Sequence, residues 1–192
     1  MTFISLSRAM AAAAVAMVAI AGSSVPAHAG LQDENLLMPL PAGFKVGWEV
    51  SNASLSQREL IPAAETVDDW STMITMQTFH GSFNVTPDDF AQNLIKGVSD
   101  VCPGTESQKV VDGTENGYAF SIWVVSCPLN PQTQKPESFY IKTIHGDDAI
   151  YDVQYAFRKA VTIALSEPAI RYLQKISVCD SRRADRPCPA GM

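Results

Sequence analysis

Tyr118, Phe120, Ile122 and Val124 alternate with Ala119, Trp123 and Val125, and that pattern constrains the fold more than any other stretch. Successive side chains of a strand point to opposite faces, so a strand that is apolar on both must be covered on both sides. The same period of two recurs on either flank. Upstream, FKVGWEV places Phe44, Val46, Trp48 and Val50 on one face, SNAS reads as a turn, and LSQRELI returns as a second strand. STMITMQTFHG puts Met73, Thr75, Gln77 and Phe79 on one face and Ile74 and Met76 on the other. Downstream, SFYIKTIHG and DAIYDVQYAFR form a pair around His145-Gly146-Asp147-Asp148, with Tyr151, Val153, Tyr155 and Phe157 sharing a face.

Two helices interrupt these strands. Thr86-Pro87-Asp88-Asp89 supplies a capping hydroxyl, a proline that needs no amide partner, and two acids for the positive end of the helix dipole. Phe90, Leu94, Val98 and Val101 then recur about once per turn, and Cys102-Pro103-Gly104 ends the helix. A second helix is expected to start near Ser166-Glu167-Pro168 and run through AIRYLQKISV on the stripe Ile170, Leu173 and Ile176. Between them, SQKVV reads as a strand before the turn-like residues 112–117, and 128–138 read as a loop holding Pro128, Pro131 and Pro136. Runs of strands separated by two helices predict an α+β fold. The expectation is a mostly antiparallel sheet of about six strands with two main helices packed on it, covering at least one face. Residues 44–178 form the single domain, 30–43 an extended lead-in, and 179–192 a tail.

The N-terminus carries Arg8, an alanine- and valine-rich core and then Ala27-His28-Ala29, the small-x-small form of a signal-peptidase site. The apolar core is shorter than the roughly 20 residues of a membrane span. Residues 1–29 are therefore expected to be a signal peptide cut after Ala29, with no stable membrane span left afterwards. The four cysteines, Cys102, Cys127, Cys179 and Cys188, all follow that cut. An even count in an exported chain predicts two disulfides. Three connectivities are possible; Cys102 with Cys127 and Cys179 with Cys188 is favoured, because the first two sit at similar proline-marked corners and the second two close a short loop. No Cys-x-x-Cys is present, which argues against zinc or thioredoxin-like chemistry. A periplasmic or secreted location follows. The formal charge of −6 becomes one unit more negative when Arg8 is removed, so nucleic acid is not an expected partner.

Candidate chemistry is sparse. His80 and His145 each precede a glycine at a strand end. If those ends were close, the two imidazoles with Asp147 or Asp148 would make a metal or acid–base cluster; otherwise they are ordinary turn residues. The adjacent acids Asp68-Asp69 and Asp88-Asp89 suit solvated turns and helix caps, since adjacency supplies neither the separation nor the unequal environments that acid–base carboxylates need. Arg182, Arg183 and Arg186 form a small basic knob suited to an acidic partner or a phosphate, or simply to solubility. No nucleophile elbow, phosphate loop or H-E-x-x-H occurs, and the sequence calls for no cofactor.

GSFNVTPDDFAQNLI, ESFYIKTIHGDDAIYDVQYAFRKAV, ELIPAAETVDDWSTMITMQTF and ISVCDSRRADRPC resemble small exported proteins of proteobacteria. The order strands–helix–strands–helix is, more remotely, similar to the PsbP-like α/β/α sandwich. That resemblance implies an assembly or binding factor without a catalytic centre. The leading expectation is thus an exported, non-enzymatic accessory or binding protein whose partner is an envelope protein or a small molecule. The alternative is a hydrolytic or metal-assisted enzyme using His80 and His145.

Overall fold

The computed structural model describes residues 31–81 and 83–189; the expected signal peptide and its cut at Ala29 lie outside them. In chain order the elements are β1 (Glu34–Leu37), β2 (Phe44–Ser51), β3 (Leu55–Pro62), β4 (Thr72–His80), α1 (Pro87–Val101), β5 (Glu106–Glu115), β6 (Tyr118–Asn130), β7 (Lys135–His145), β8 (Ala149–Phe157), α2 (Ile163–Leu173) and β9 (Ser177–Asp180). Seven strands form one sheet in the order β2-β3-β4-β8-β7-β6-β5, and every neighbouring pair is antiparallel.

Each helix covers one face. Ile95 of α1 packs with Ile61, Trp70, Met73, Val125, Phe139, Ile141 and Ala156. Ala169 and Leu173 of α2 pack with the opposite parity: Leu60, Ile74, Ile122, Tyr140, Ile144, Tyr151 and Val153. The sheet is therefore the middle layer, as the two-sided apolar pattern of β6 requires. α1 lies over β5–β7 and α2 over β7–β8. On the α1 face, Val67 and Trp70 of the β3–β4 connection cover the ends of β3 and β4. On the α2 face, Leu36, Met38 and Phe44 pack against the core beneath α2.

The helix start behaves as its residues dictate. Thr86 Oγ1 accepts the Asp89 backbone N–H at 3.0 Å, with Pro87 opening the helix. At the other end Cys102 is bonded to Cys127 of β6, tying α1 to the sheet beneath it. The second bridge joins Cys179 to Cys188.

Several expectations are corrected. The sheet has seven strands rather than about six, and β5 runs past SQKVV to Glu115, so that of the expected turn only Asn116-Gly117 turns. Both take positive φ (47° and 76°), the requirement of a two-residue hairpin turn matching strand twist. The stretch 128–138 is mostly strand: β6 runs to Asn130 and β7 begins at Lys135, so the prolines flank a short turn. α2 begins at Ile163, contains Pro168 and ends at Leu173, so Ser177 and Val178 of the expected helix are strand instead. The proline removes the bond its amide would have made to the carbonyl of residue 164, and the packing of Ala169 and Leu173 on the sheet holds the helix across that gap. Finally, the lead-in and tail each supply a strand, and β1 pairs with β9 from Glu34–Asp180 to Leu37–Ser177. Neither is long enough to show a period alone.

Both outer strands carry a bulge, at Gly47 in β2 and at Val110 in β5; the first corrects the expectation of one shared face in β2, since Phe44 and Val46 stay on the α2 face while Trp48 and Val50 turn to the α1 face. A bulge twists an edge and discourages another strand from adding to it. At Gly47 a side chain is also sterically excluded, since a Cβ there would press on Val67 and Ile61.

Lys142 of β7 is 1% exposed. Its ammonium donates to Glu115 Oε2 at 2.6 Å and to the backbone oxygens of Ile176 at 2.6 Å and Leu173 at 3.2 Å. Leu173 closes α2, whose last carbonyls have no partner within the helix, so the lysine caps the helix from below. Burial pulls its pKa down and Glu115 opposes that pull. Lys142→Ala is expected to cost about 3 kcal/mol in urea unfolding; a loss below about 0.5 kcal/mol would show that the cap contributes little.

Candidate functional site

The ladder registers place His80 opposite Ala149 and His145 opposite Ile150. Ala149 and Ile150 are successive residues of one strand, so the two imidazoles project from opposite faces, with β8 between their strands. This corrects the expectation of a shared cluster: no single ion can be ligated through a sheet. His80 Nε2 lies 2.9 Å from Ser56 Oγ on the α2 face. On the α1 face His145 Nε2 lies 2.8 Å from the Phe83 carbonyl oxygen. A carbonyl only accepts, so this nitrogen carries the proton and ties down the segment entering α1.

Asp147 and Asp148 do not meet either histidine; they meet the arginines of the tail. Arg182 donates to Asp148 at 2.6 Å, and Arg183 and Arg186 donate to Asp147 at 3.3 and 2.9 Å. Arg182 also holds Asp180, lowering its pKa by direct hydrogen bonds. Glu34 of β1 accepts the backbone N–H groups of Asp147 and Asp148 at 2.6 and 3.1 Å and the Tyr151 hydroxyl at 3.1 Å. The Arg186 guanidinium lies 4.3 Å over the Tyr118 ring, and burial pushes the Tyr118 hydroxyl up to about 12. The basic knob is thus not free. It clamps the β1–β9 sheet onto the β7–β8 turn. Glu34, Asp147 and Asp180 bring carboxylate oxygens within 4.8 Å of one another, and the arginines beside them supply the positive charge that lets them gather.

Asp68 and Asp69 are likewise structural. Asp69 lies 3.3 Å from Lys135 and 3.6 Å from Arg158. Arg158 also donates to the Asp68 carbonyl at 2.7 Å and covers the Trp70 ring at 4.4 Å.

The concentration of polar side chains that stands out lies elsewhere. On the α1 face, register aligns Ser121, Thr143, Asp152, Gln77 and Gln57 in one row across five strands. Asp152 is fully buried. Thr143 Oγ1 donates to one carboxyl oxygen at 3.0 Å and Gln154 Nε2 to the other at 3.1 Å. Among the described residues no cation touches it, and burial raises its pKa to about 7 despite those two bonds. Gln77 Nε2 donates to Gln57 Oε1 at 2.8 Å, and Gln57 Nε2 to Glu59 Oε1 at 3.1 Å. The row runs from a dry end under α1 to an open end at β2, where Val50 and Trp48 stand 40% and 43% exposed.

Sequence reasoning passed over this row, because each member looks like the polar half of an ordinary alternation. The available signal was its repetition. Gln57, Gln77, Thr143 and Asp152 share one parity in neighbouring strands, beside apolar residues in the same columns.

No protein-family model matches the chain, and no curated protein matches it. Among solved structures, LpqN of Mycobacterium tuberculosis, described as involved in cell envelope biogenesis, is similar in part, with a TM-score of 0.40 and 12% identity over 80% of this chain and 87% of that one. No helix among the described residues is long and apolar enough to cross a membrane.

Two expectations follow. The Asp152 pKa is higher in the folded chain than its ordinary value of 3.8, so the folded state holds the extra proton between those values. Its stabilising effect is full at low pH and is lost as pH rises through about 7. Asp152→Asn should therefore unfold at higher urea than the parent at pH 8, by about 2–4 kcal/mol, with the gap closing toward pH 4. A constant gap would reject the assignment. Asp147→Ala should speed amide exchange in β1 and β9 about tenfold while leaving β7 and β8 unchanged; unchanged exchange in β1 and β9 would mean that the clamp is not needed there.

Proposed function

We propose that the chain is an exported accessory or binding module that works outside the cytoplasm, after removal of a leader at Ala29. Its partner is an envelope protein or a small molecule. One observation carries the reading: the helices lie over β5–β8 and reach β4 only where Phe90 packs on Phe79, while β2 is exposed along nearly its whole length and the adjoining upper ends of β3 and β4 are half-exposed. On the α2 face this opening is a shallow bay of about 490 Å³ lined by Glu49, Ser51, Ser56, Arg58, Met76 and Thr78. On the α1 face it is the open end of the polar row beside Trp48. Surface of this kind, open and partly apolar, is what binding modules present. The two disulfides support an oxidising compartment, and the negative charge disfavours nucleic acid.

The test is site-specific photo-crosslinking in cells. A photoreactive residue at Trp48 or Met76 is expected to give adducts in the envelope fraction, and one at Lys96, exposed on α1, is not. A protein that stays in the cytoplasm with free thiols, or that crosslinks no better at 48 and 76 than at 96, would refute the proposal.

A further inference from the structure

We infer that the open α1 face of β2–β4 binds a neutral, hydroxyl-rich oligosaccharide, a reading that rests on the binding role proposed above and names its ligand class. Two aligned rows form the floor. One runs Trp48, Glu59, Thr75, Gln154 and the other Val50, Gln57, Gln77, Asp152, each stepping from β2 through β3 and β4 to β8. The rows span three strand spacings, of which the two over β2–β4, about 10 Å, are open and end against the buried Asp152, room for a short oligosaccharide.

The chemistry of this floor fits a sugar on two counts. A pyranose ring has an apolar C–H face and a rim of hydroxyls that both donate and accept. Trp48, at 43% exposure, supplies the plate for the first. Glu59, Thr75, Gln77 and Gln154 supply carboxylate, hydroxyl and amide groups for the second. Those groups are fixed in place: Gln77 to Gln57, Gln57 to Glu59, and Gln154 to Asp152. Among the described residues, these bonds leave Gln77 Oε1, Glu59 Oε2 and the Thr75 hydroxyl without a protein partner. A rigid array with unspent donors and acceptors discriminates strongly for a ligand whose hydroxyls complete it.

Charge narrows the occupant. Glu59 and the exposed Lys45, which pairs with Ile61 on the same face, are the charged side chains of the open floor and offset each other, so the floor offers an ionic ligand no net attraction. A peptide or a second copy adding as a strand would need the β2 edge, and the bulge at Gly47 breaks the row of hydrogen-bonding groups that such an addition uses.

The experiment is an NMR titration of the full mature protein with chitotetraose, cellotetraose and maltotetraose, with a polygalacturonate oligomer and an unstructured apolar peptide in parallel. At least one neutral tetrasaccharide is expected to shift the Trp48 indole and the side-chain amides of Gln57, Gln77 and Gln154. Trp48→Ala is expected to weaken that binding roughly tenfold with its urea unfolding unchanged. Gln77→Ala provides a second variant away from the edge, with a comparable loss expected. Absence of shifts with all three neutral sugars, shifts that survive in Trp48→Ala, or preference for the anion or the peptide would overturn the inference. Should the cellular crosslinks at 48 and 76 appear while the sugars fail, the binding role stands and the ligand class falls; should both fail, both fall.

Discussion

β7 and β8 have almost no side exposed to water, and the rest of the molecule answers to that constraint. A strand pair buried on both faces needs two covers, and the chain supplies one helix for each. It also means that any polar side chain in these strands must find its partners inside the protein. Lys142 finds them at the end of α2 and in Glu115. Thr143 and Asp152 find them in each other and in Gln154. The two cases differ in charge. Lys142 has a carboxylate facing it, whereas Asp152 has only neutral donors, so its proton is held to a higher pH than a carboxyl in water would keep it.

Coverage of the centre has a cost at the margin. Two helices of 15 and 11 residues cannot roof seven strands, and the chain spends its remaining segments on the sheet ends. The β3–β4 connection lays Val67 and Trp70 over one face, and the lead-in lays Leu36 and Met38 over the other. What stays open is the upper part of β2–β4. Both sheet edges are bulged, so the molecule limits strand addition at its rims while leaving a flat surface beside one of them. The tail contributes by ion pairing: three arginines bring β9, and with it β1, onto the β7–β8 turn.

The architecture is largely legible in the sequence. Alternation marks the strands of the centre, β4, β6 and β8, and Thr86-Pro87-Asp88-Asp89 marks the start of α1 because capping is a local property. The pairing of β1 with β9 was not legible, since four-residue strands carry no period and their partners are far apart in sequence. The start of α2 was misplaced because Pro168 reads as a boundary, although burial of Ala169 and Leu173 carries the helix through it. The histidine cluster failed for a reason of register. His80 and His145 look equivalent in sequence, each before a glycine, yet a one-residue offset in a strand ladder reverses the face a side chain occupies. The polar row escaped notice for the converse reason, as parity within one strand says nothing of what lines up across five.

The central claim is that the sheet has a covered half and an open half, and that the open half is free for binding. Native-state hydrogen exchange measures this directly. The amides of β7 and β8 should exchange only through global unfolding. Those at the upper ends of β2 and β3 should exchange through smaller openings, with lower free energies. Equal protection across all seven strands would mean that β2–β4 is as well covered as the centre, and would contradict the account.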